Sequence, residues 1–168
     1  WALAAHPMND STDTKHSINR ESVNSGHSPY LQFGRLLKRE LGYPIGLVQT
    51  ALGGSPLKRW NPGELETADL FENMVRCVGK VGGRVKGILW YQGESDAGNE
   101  AEATSYGARF NQALGAWREA LGDAELPVLT VQLNRVLQPE DSGADQRWSQ
   151  VREAQRRVAR EVPGVAVV

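Results

Sequence analysis

Short apolar runs alternate with amphipathic helical stretches along most of this chain, and that alternation restricts the fold more than any other feature. The runs that predict buried strands are residues 45–49, 85–91, 128–133 and 165–168. Helical spacing of apolar residues predicts helices at residues 29–41, 65–78, 100–121 and 147–161. Apolar strands separated by helices are typical of a parallel sheet covered on both faces. The sequence therefore predicts an α/β fold with three layers, α/β/α, around a parallel sheet.

The composition is that of one ordinary globular domain. The chain has 168 residues, of which 40% are hydrophobic and 23% are charged, enough apolar side chain for a core. A formal net charge of −1 gives no clustered positive charge for nucleic acid or an anionic membrane surface, and no apolar run is long enough to span a bilayer. We expect a single domain over residues 1–168 with no nucleic-acid or membrane partner, and the oligomeric state is left open.

Cysteine and histidine offer no pattern for a metal site. Cys77 is the only cysteine, which excludes an internal disulfide and a cysteine-based metal centre, and its helical setting predicts a buried small residue. His6, His16 and His27 lie in a polar, turn-rich stretch and lack both regular spacing and a supporting carboxylate pattern. We therefore expect no metal and no cofactor.

Polar, glycine-rich loops follow the first three predicted strands. They read TALGGSP (residues 50–56), QGESDAGN (residues 92–99) and NRVLQPEDSG (residues 134–143). Open α/β sheets bind their ligands beyond the carboxyl ends of the strands. The sequence therefore predicts a functional site on the rim that these loops share.

The segment GESDA, residues 93–97, raises Ser95 as a possible nucleophile. It differs by one residue from the G-x-S-x-G elbow of the α/β-hydrolases, and it lies between a strand and a helix as that elbow does. In that family the catalytic histidine follows the nucleophile, whereas here all three histidines precede Ser95. A turn serine that caps the approach to the helix is the favoured interpretation, and an α/β-hydrolase that uses Ser95 is an alternative.

Two longer motifs together resemble a different family of esterases. YPIGLVQTALGGSPLKRW (residues 43–60) joins a predicted strand to a Gly-Gly-Ser turn and a tryptophan, and GILWYQGESDA (residues 87–97) ends a strand in Gln-Gly-Glu. At this spacing they are similar to the sialate O-acetylesterase, or carbohydrate acetylesterase, branch of the SGNH (GDSL-like) hydrolases. The likeness covers roughly residues 27–135.

The resemblance implies hydrolysis of acetyl esters on carbohydrates through a serine nucleophile, with an acetylated carbohydrate as substrate and no cofactor. Gly53 would give a backbone N–H to the oxyanion, since a glycine lets the backbone approach closely. Gln92 would give a second donor from its side-chain amide. Glu94 would either orient the catalytic histidine or accept hydrogen bonds as a structural carboxylate. Either role would need hydrogen-bond partners if Glu94 is buried, because an unpaired buried carboxylate is costly.

The resemblance also places three substrate-binding candidates in the first motif. They are Gly54, Ser55 and Trp60, where the tryptophan ring could stack on a sugar or could simply pack in the protein.

Two blocks of the resembled family are not found in this sequence. One is the Gly-x-Ser-Asn-like block that carries the nucleophile, and the other is the Asp-x-x-His block that carries the base. We therefore expect the chain to be the middle segment of a longer hydrolase, inactive by itself, with an exposed sheet edge where the first strand belongs. A rival interpretation is a non-catalytic carbohydrate-binding or interaction module that kept the fold.

Overall fold

The computed structural model describes residues 1–6, 8, 27–65, 68–139 and 141–168. These residues form two compact units, Trp1–Gly53 and Gly54–Val168. The single domain over residues 1–168 stays a prediction. His16 lies outside the described residues.

The first unit contains helix α1, Pro29–Leu41, and the sequence predicted both of its ends. At the start, the Ser28 Oγ accepts a hydrogen bond from the Tyr30 backbone N–H at 3.2 Å, and Pro29 fits the first turn because it has no N–H to satisfy. At the end, Gly42 has φ 75° and donates its N–H to the Lys38 carbonyl at 2.9 Å. This left-handed glycine closes the helix.

The prediction of a strand at residues 45–49 was wrong, because the described residues of this segment join no sheet. A strand persists only where a neighbour satisfies its backbone groups, and apolar sequence alone does not supply that neighbour. The segment instead packs locally: Leu47 covers Gly34, and the Trp1 ring lies so close to Gly46 that a Cβ there would sit 3.0 Å from it.

The second unit contains a parallel sheet of three strands. They are β1 (Ile88–Trp90), β2 (Val128–Thr130) and β3 (Val165–Val167), in the order β1-β2-β3. Ile88 pairs with Val128, and Val128 pairs with Val165. The α/β class with a parallel sheet is therefore confirmed, although each strand is shorter than its predicted apolar run.

Three helices accompany this sheet: α2 (Asp69–Lys80), α3 (Glu100–Ala120) and α4 (Ala144–Glu161). The Asn99 side chain caps α3 by accepting the N–H groups of Ala101 and Glu102 at 2.9 and 3.1 Å. Helix α2 begins later and α4 begins earlier than predicted.

Cys77 lies in α2 and is only half-buried. Among the helices of the described ranges, none is long and apolar enough to cross a membrane.

An aromatic cluster holds β1 against α3. Trp90 on β1 lies 4.7 Å from Trp117 and 6.1 Å from Phe110, measured between ring centroids. Trp60 meets Trp90 edge-on at 5.4 Å, and the Trp117 indole N–H donates to the Trp60 carbonyl at 2.8 Å. Such aromatic pairs stabilise the fold by more than the burial of their surface area alone. They also fix the end of β1, from which Gln92 projects.

Gly93 allows α4 to pack on the backbone just after β1. Its φ is 142°, in the region that favours glycine. A Cβ at this position would lie 2.9 Å from Val151 Cγ1 and 3.0 Å from Leu133 Cδ1. No side chain fits there without moving its neighbours.

We expect Gly93→Ala to lower the free energy of unfolding by about 2–4 kcal/mol, since backbone strain and overpacking combine. Gly122→Ala is the matched control, because Gly122 has φ 70° but open space at its Cβ, and strain alone costs about 1–2 kcal/mol. Chemical denaturation measures both values. Equal losses for the two variants would contradict the close packing at Gly93.

Candidate functional site

The Gln92 side chain is buried at the carboxyl end of β1, with 7% of its surface exposed. Its Nε2 donates to the Ser55 carbonyl at 3.1 Å and to Asp96 Oδ2 at 2.5 Å. Its Oε1 accepts from the Tyr106 hydroxyl at 3.1 Å. Only this orientation of the amide gives donors to both acceptors, so the surroundings determine where the N–H groups point.

Asp96 is the fully buried carboxylate of this site, with 0% exposure. Its Oδ2 accepts from the Leu57 backbone N–H at 2.9 Å and from Gln92, and its Oδ1 accepts from Arg109 Nη1 at 2.8 Å. A buried charge is tolerated only when it is paired and hydrogen-bonded. Asp96 meets both conditions, and it joins the loop before Leu57 to β1 and α3.

Arg109 on α3 carries the compensating charge. Its Nε donates to Glu64 Oε2 at 2.6 Å, and its Nη1 reaches Asp96. Burial opposes the charged form of Arg109, but the hydrogen bonds to Glu64 and Asp96 outweigh burial and raise its pKa above the ordinary value. Asn61 extends the network, since its Nδ2 donates to Glu64 Oε1 at 2.8 Å.

Tyr106 and Gln155 hold the Gln92 residue from the helices. The Tyr106 hydroxyl lies 3.2 Å from the Gln92 carbonyl as well as near its Oε1, and burial raises the Tyr106 pKa far above its usual range, so this group stays a neutral donor. Gln155 on α4 donates to the Gln92 carbonyl at 2.9 Å and accepts the Leu133 N–H at 2.9 Å. The ends of β1 and β2 are thereby tied together.

Sequence reasoning missed Asp96, Arg109, Tyr106 and Gln155. One signal was present: an arginine stands directly beside Phe110 in the buried stripe of α3. An arginine at the edge of such a stripe needs an acidic partner. In the structure that partner is Asp96, thirteen residues earlier in the chain.

Gly53 belongs to the first unit and Gln92 to the second, and the convergence of their N–H groups stays a prediction. Gly54 is exposed with φ 67° and open space at its Cβ. Ser55 is buried, and its Oγ accepts the Trp60 indole N–H at 3.1 Å. With 4% exposure, Trp60 offers no ring face to a sugar, so the geometry favours its packing role over a substrate contact.

Glu94 is exposed, and in the described ranges no hydrogen bond or ion pair to its carboxylate is found. The structural acceptor expected at Glu94 is Asp96 instead, because the chain turns into a short 3₁₀ helix, Asp96–Gly98, that directs Asp96 inward. The possible part of Glu94 in orienting a histidine stays a prediction.

The Ser95 alternative is not supported by the backbone. Ser95 has φ −64° and ψ −36°, ordinary right-handed helical values, whereas a nucleophile elbow is a strained turn. The expected capping role was also wrong, since Ser95 makes no capping hydrogen bond and Asn99 caps α3.

A cavity of about 300 Å³ opens where the loops after β1 and β2 meet. Tyr91 and Glu94 line it from the first loop, Asn134 and Arg135 from the second, and Trp148 from α4. Two of the three loops predicted to share a rim therefore do so. Among the residues that the structure describes, no group of three or more His, Cys, Asp or Glu side chains could hold a metal ion.

Comparison with known proteins identifies the family. The family model described as carbohydrate esterase, sialic acid-specific acetylesterase, matches residues 1–168. The chain belongs to this family. A probable carbohydrate esterase of Arabidopsis thaliana is 33% identical over 137 residues, covering 78% of this chain and 48% of the relative. Human sialate O-acetylesterase is 28% identical over 166 residues, covering 77% of this chain and 31% of the relative. The chain thus spans about half or less of the length of these relatives.

Solved structures of the family share the fold. An Arabidopsis thaliana protein determined at 1.6 Å matches with a TM-score of 0.71 and 32% identity, covering 85% of this chain and 56% of that protein. A carbohydrate acetylesterase from Xanthomonas citri matches with a TM-score of 0.71 and 29% identity, covering 86% and 35%. The chain therefore shares the fold of the matched parts of these two proteins.

We expect Asp96→Asn to destabilise the protein by about 3 kcal/mol. A neutral amide removes one of the two acidic partners of Arg109, and its own N–H groups would face the N–H donors that Asp96 now accepts. The matched control is Glu102→Gln, which removes the partner of Lys58 in a partly exposed ion pair and should cost less than about 1 kcal/mol. Denaturant titration of both variants checks this. Similar small losses would show that Asp96 does not carry a buried charge.

Proposed function

We propose that this chain is the part of a carbohydrate O-acetylesterase that supplies oxyanion donors, and that the nucleophilic serine lies outside it. The observation that carries the proposal is the buried Gln92 amide, oriented by Asp96 and Tyr106 at the carboxyl end of β1. Family membership and the names of the relatives support acetyl esters on sugars as substrates.

The reaction is acyl transfer. The serine oxygen attacks the acetyl carbonyl carbon, and the carbonyl oxygen gains the negative charge as the tetrahedral intermediate forms. The histidine base takes the serine proton and gives it to the departing sugar oxygen. Water then hydrolyses the acetyl-serine, which restores the serine hydroxyl and releases acetic acid. Donors fixed in advance near the charged oxygen lower the barrier by several kcal/mol, and Gln92 Nε2 with the Gly53 N–H are the donors we assign.

The hydrogen bonds of Gln92 indicate which N–H is used. The bond to Asp96 is short and charge-assisted, whereas the 3.1 Å bond to the Ser55 carbonyl has a neutral acceptor. An oxyanion is a stronger acceptor than a carbonyl, so it can take over the N–H that faces Ser55. Asp96 keeps the other N–H and thus acts as a positioning residue.

Glu94 lies on the cavity that adjoins this strand end. We assign it to orient a histidine base from outside the chain, because its carboxylate makes no bond within the described residues that would hold it elsewhere.

A non-catalytic carbohydrate-binding module is the second candidate function. The observation that favours it is that both N–H groups of Gln92 already have acceptors inside the protein. An amide whose two N–H groups are already bonded has none left over for an oxyanion. The fold would then bind carbohydrate without hydrolysing it.

We expect Gln92→Ala in the full-length protein to lower kcat/KM for p-nitrophenyl acetate roughly a hundredfold, with most of the loss in kcat, since an oxyanion donor acts chiefly in the transition state. Gln146→Ala is the matched control, because Gln146 is an exposed glutamine on α4, and it should leave the rate unchanged. Initial-rate kinetics checks both.

Full activity in Gln92→Ala would overturn the oxyanion assignment. A full-length protein with no turnover of any acetyl ester would favour the binding module instead.

A further inference from the structure

We infer that the cavity beside Glu94 is the subsite for the sugar ring of the substrate, an inference that rests on the proposed function. The cavity, of about 300 Å³, lies past the carboxyl ends of β1 and β2, where parallel sheets bind ligands. Tyr91 and Glu94, which both line it, flank Gln92 closely in the chain. A ring bound there is therefore tied to the strand end that carries the proposed oxyanion donor.

Two aromatic side chains line this cavity and remain accessible. Tyr91 is 49% exposed directly after β1, and Trp148 is half-buried near the start of α4. Both carry large apolar faces with a polar tip, which suits the C–H face of a pyranose. Trp60, by contrast, is enclosed in the core cluster. We therefore assign stacking on the sugar ring to Tyr91 and Trp148 instead of Trp60.

Three polar end groups in the same cavity have free hydrogen-bonding capacity. Within the described ranges, neither the Glu94 carboxylate nor the Arg135 guanidinium has a partner. Asn134 uses its Oδ1 to accept the Arg135 backbone N–H at 2.8 Å, which leaves its NH₂ group available. The cavity thus offers one acceptor and two donors around apolar walls, the pattern of a site that fixes a ligand by a few polar contacts.

This set of groups selects hydroxyl-bearing rings. The Glu94 carboxylate has two oxygens, so one can accept from the proposed histidine base and the other from a sugar hydroxyl. The same hydroxyl both donates and accepts, so its oxygen can take a hydrogen bond from Asn134 or Arg135. A phosphate would meet the Glu94 carboxylate unless it faced Arg135, and an alkyl chain would leave all three polar groups unpaired, which is costly once water is excluded.

The test compares esters with and without a ring in the full-length protein. The probes are vinyl acetate, which has no ring, and two sugar esters, glucose pentaacetate and a 9-O-acetylated sialic acid. We expect Trp148→Ala to raise KM about tenfold or more for the sugar ester that is turned over, with kcat/KM for vinyl acetate unchanged. Trp148→Phe keeps a ring and should recover most of the loss.

The control variant is Tyr43→Ala, which removes an aromatic side chain that is 55% exposed and does not line the cavity. Its KM values should match those of the unsubstituted protein. Vinyl acetate turnover in each variant also reports whether the protein has folded.

Three outcomes would overturn the subsite. One is an equal loss on vinyl acetate and sugar esters, which would mean that Trp148 serves packing. A second is an unchanged KM for sugar esters in Trp148→Ala, and a third is turnover of vinyl acetate but of neither sugar ester.

Failure of the proposed function looks different, since vinyl acetate would then not be hydrolysed at all. The subsite would in that case be judged by saturation-transfer NMR with glucose and N-acetylneuraminic acid. A signal lost in Trp148→Ala and kept in Tyr43→Ala would support it, and no signal with either sugar would overturn it.

Discussion

The buried carboxylate of Asp96 is the interaction on which this end of the fold depends. It receives the Leu57 backbone N–H, the Gln92 amide and the Arg109 guanidinium. These groups come from the short 3₁₀ helix Leu57–Trp60, the end of β1 and α3. An ionised carboxylate in such a place is stable only while all its donors stay in position. The charge therefore makes the geometry of three elements interdependent, in a way that apolar packing of the Trp90 cluster alone would not.

That dependence supports the proposed role of Gln92 as an oxyanion donor. A donor that stabilises a transition state must be oriented before the charge develops, because reorientation during the reaction would cost the energy that it supplies. Gln92 is held on its oxygen by Tyr106 and on its nitrogen by Asp96, with the neutral Ser55 carbonyl as the weaker third partner. The arrangement suits an amide that exchanges one internal acceptor for a substrate oxygen.

The sequence predicted the features that local chemistry controls. The ends of α1 follow from Ser28 and Gly42, whose side chain and left-handed backbone act within a turn, and the strands follow from their apolar runs. The choice between Glu94 and Asp96 as the buried carboxylate could not be made from sequence, because it depends on a 3₁₀ turn and on Arg109 in a distant helix. The prediction of a strand at residues 45–49 was wrong for the same reason, since a strand requires a pairing partner from elsewhere in the chain.

A crystal structure of the full-length protein after reaction with an alkyl phosphonate ester tests the central claim most directly, because the phosphonyl oxygen on the nucleophile mimics the oxyanion. The account predicts that this oxygen lies about 2.7–3.1 Å from Gln92 Nε2, that the bond from Gln92 to Ser55 has opened, and that the bond to Asp96 is retained. A phosphonyl oxygen bound by other donors, with both internal bonds of Gln92 intact, would contradict it.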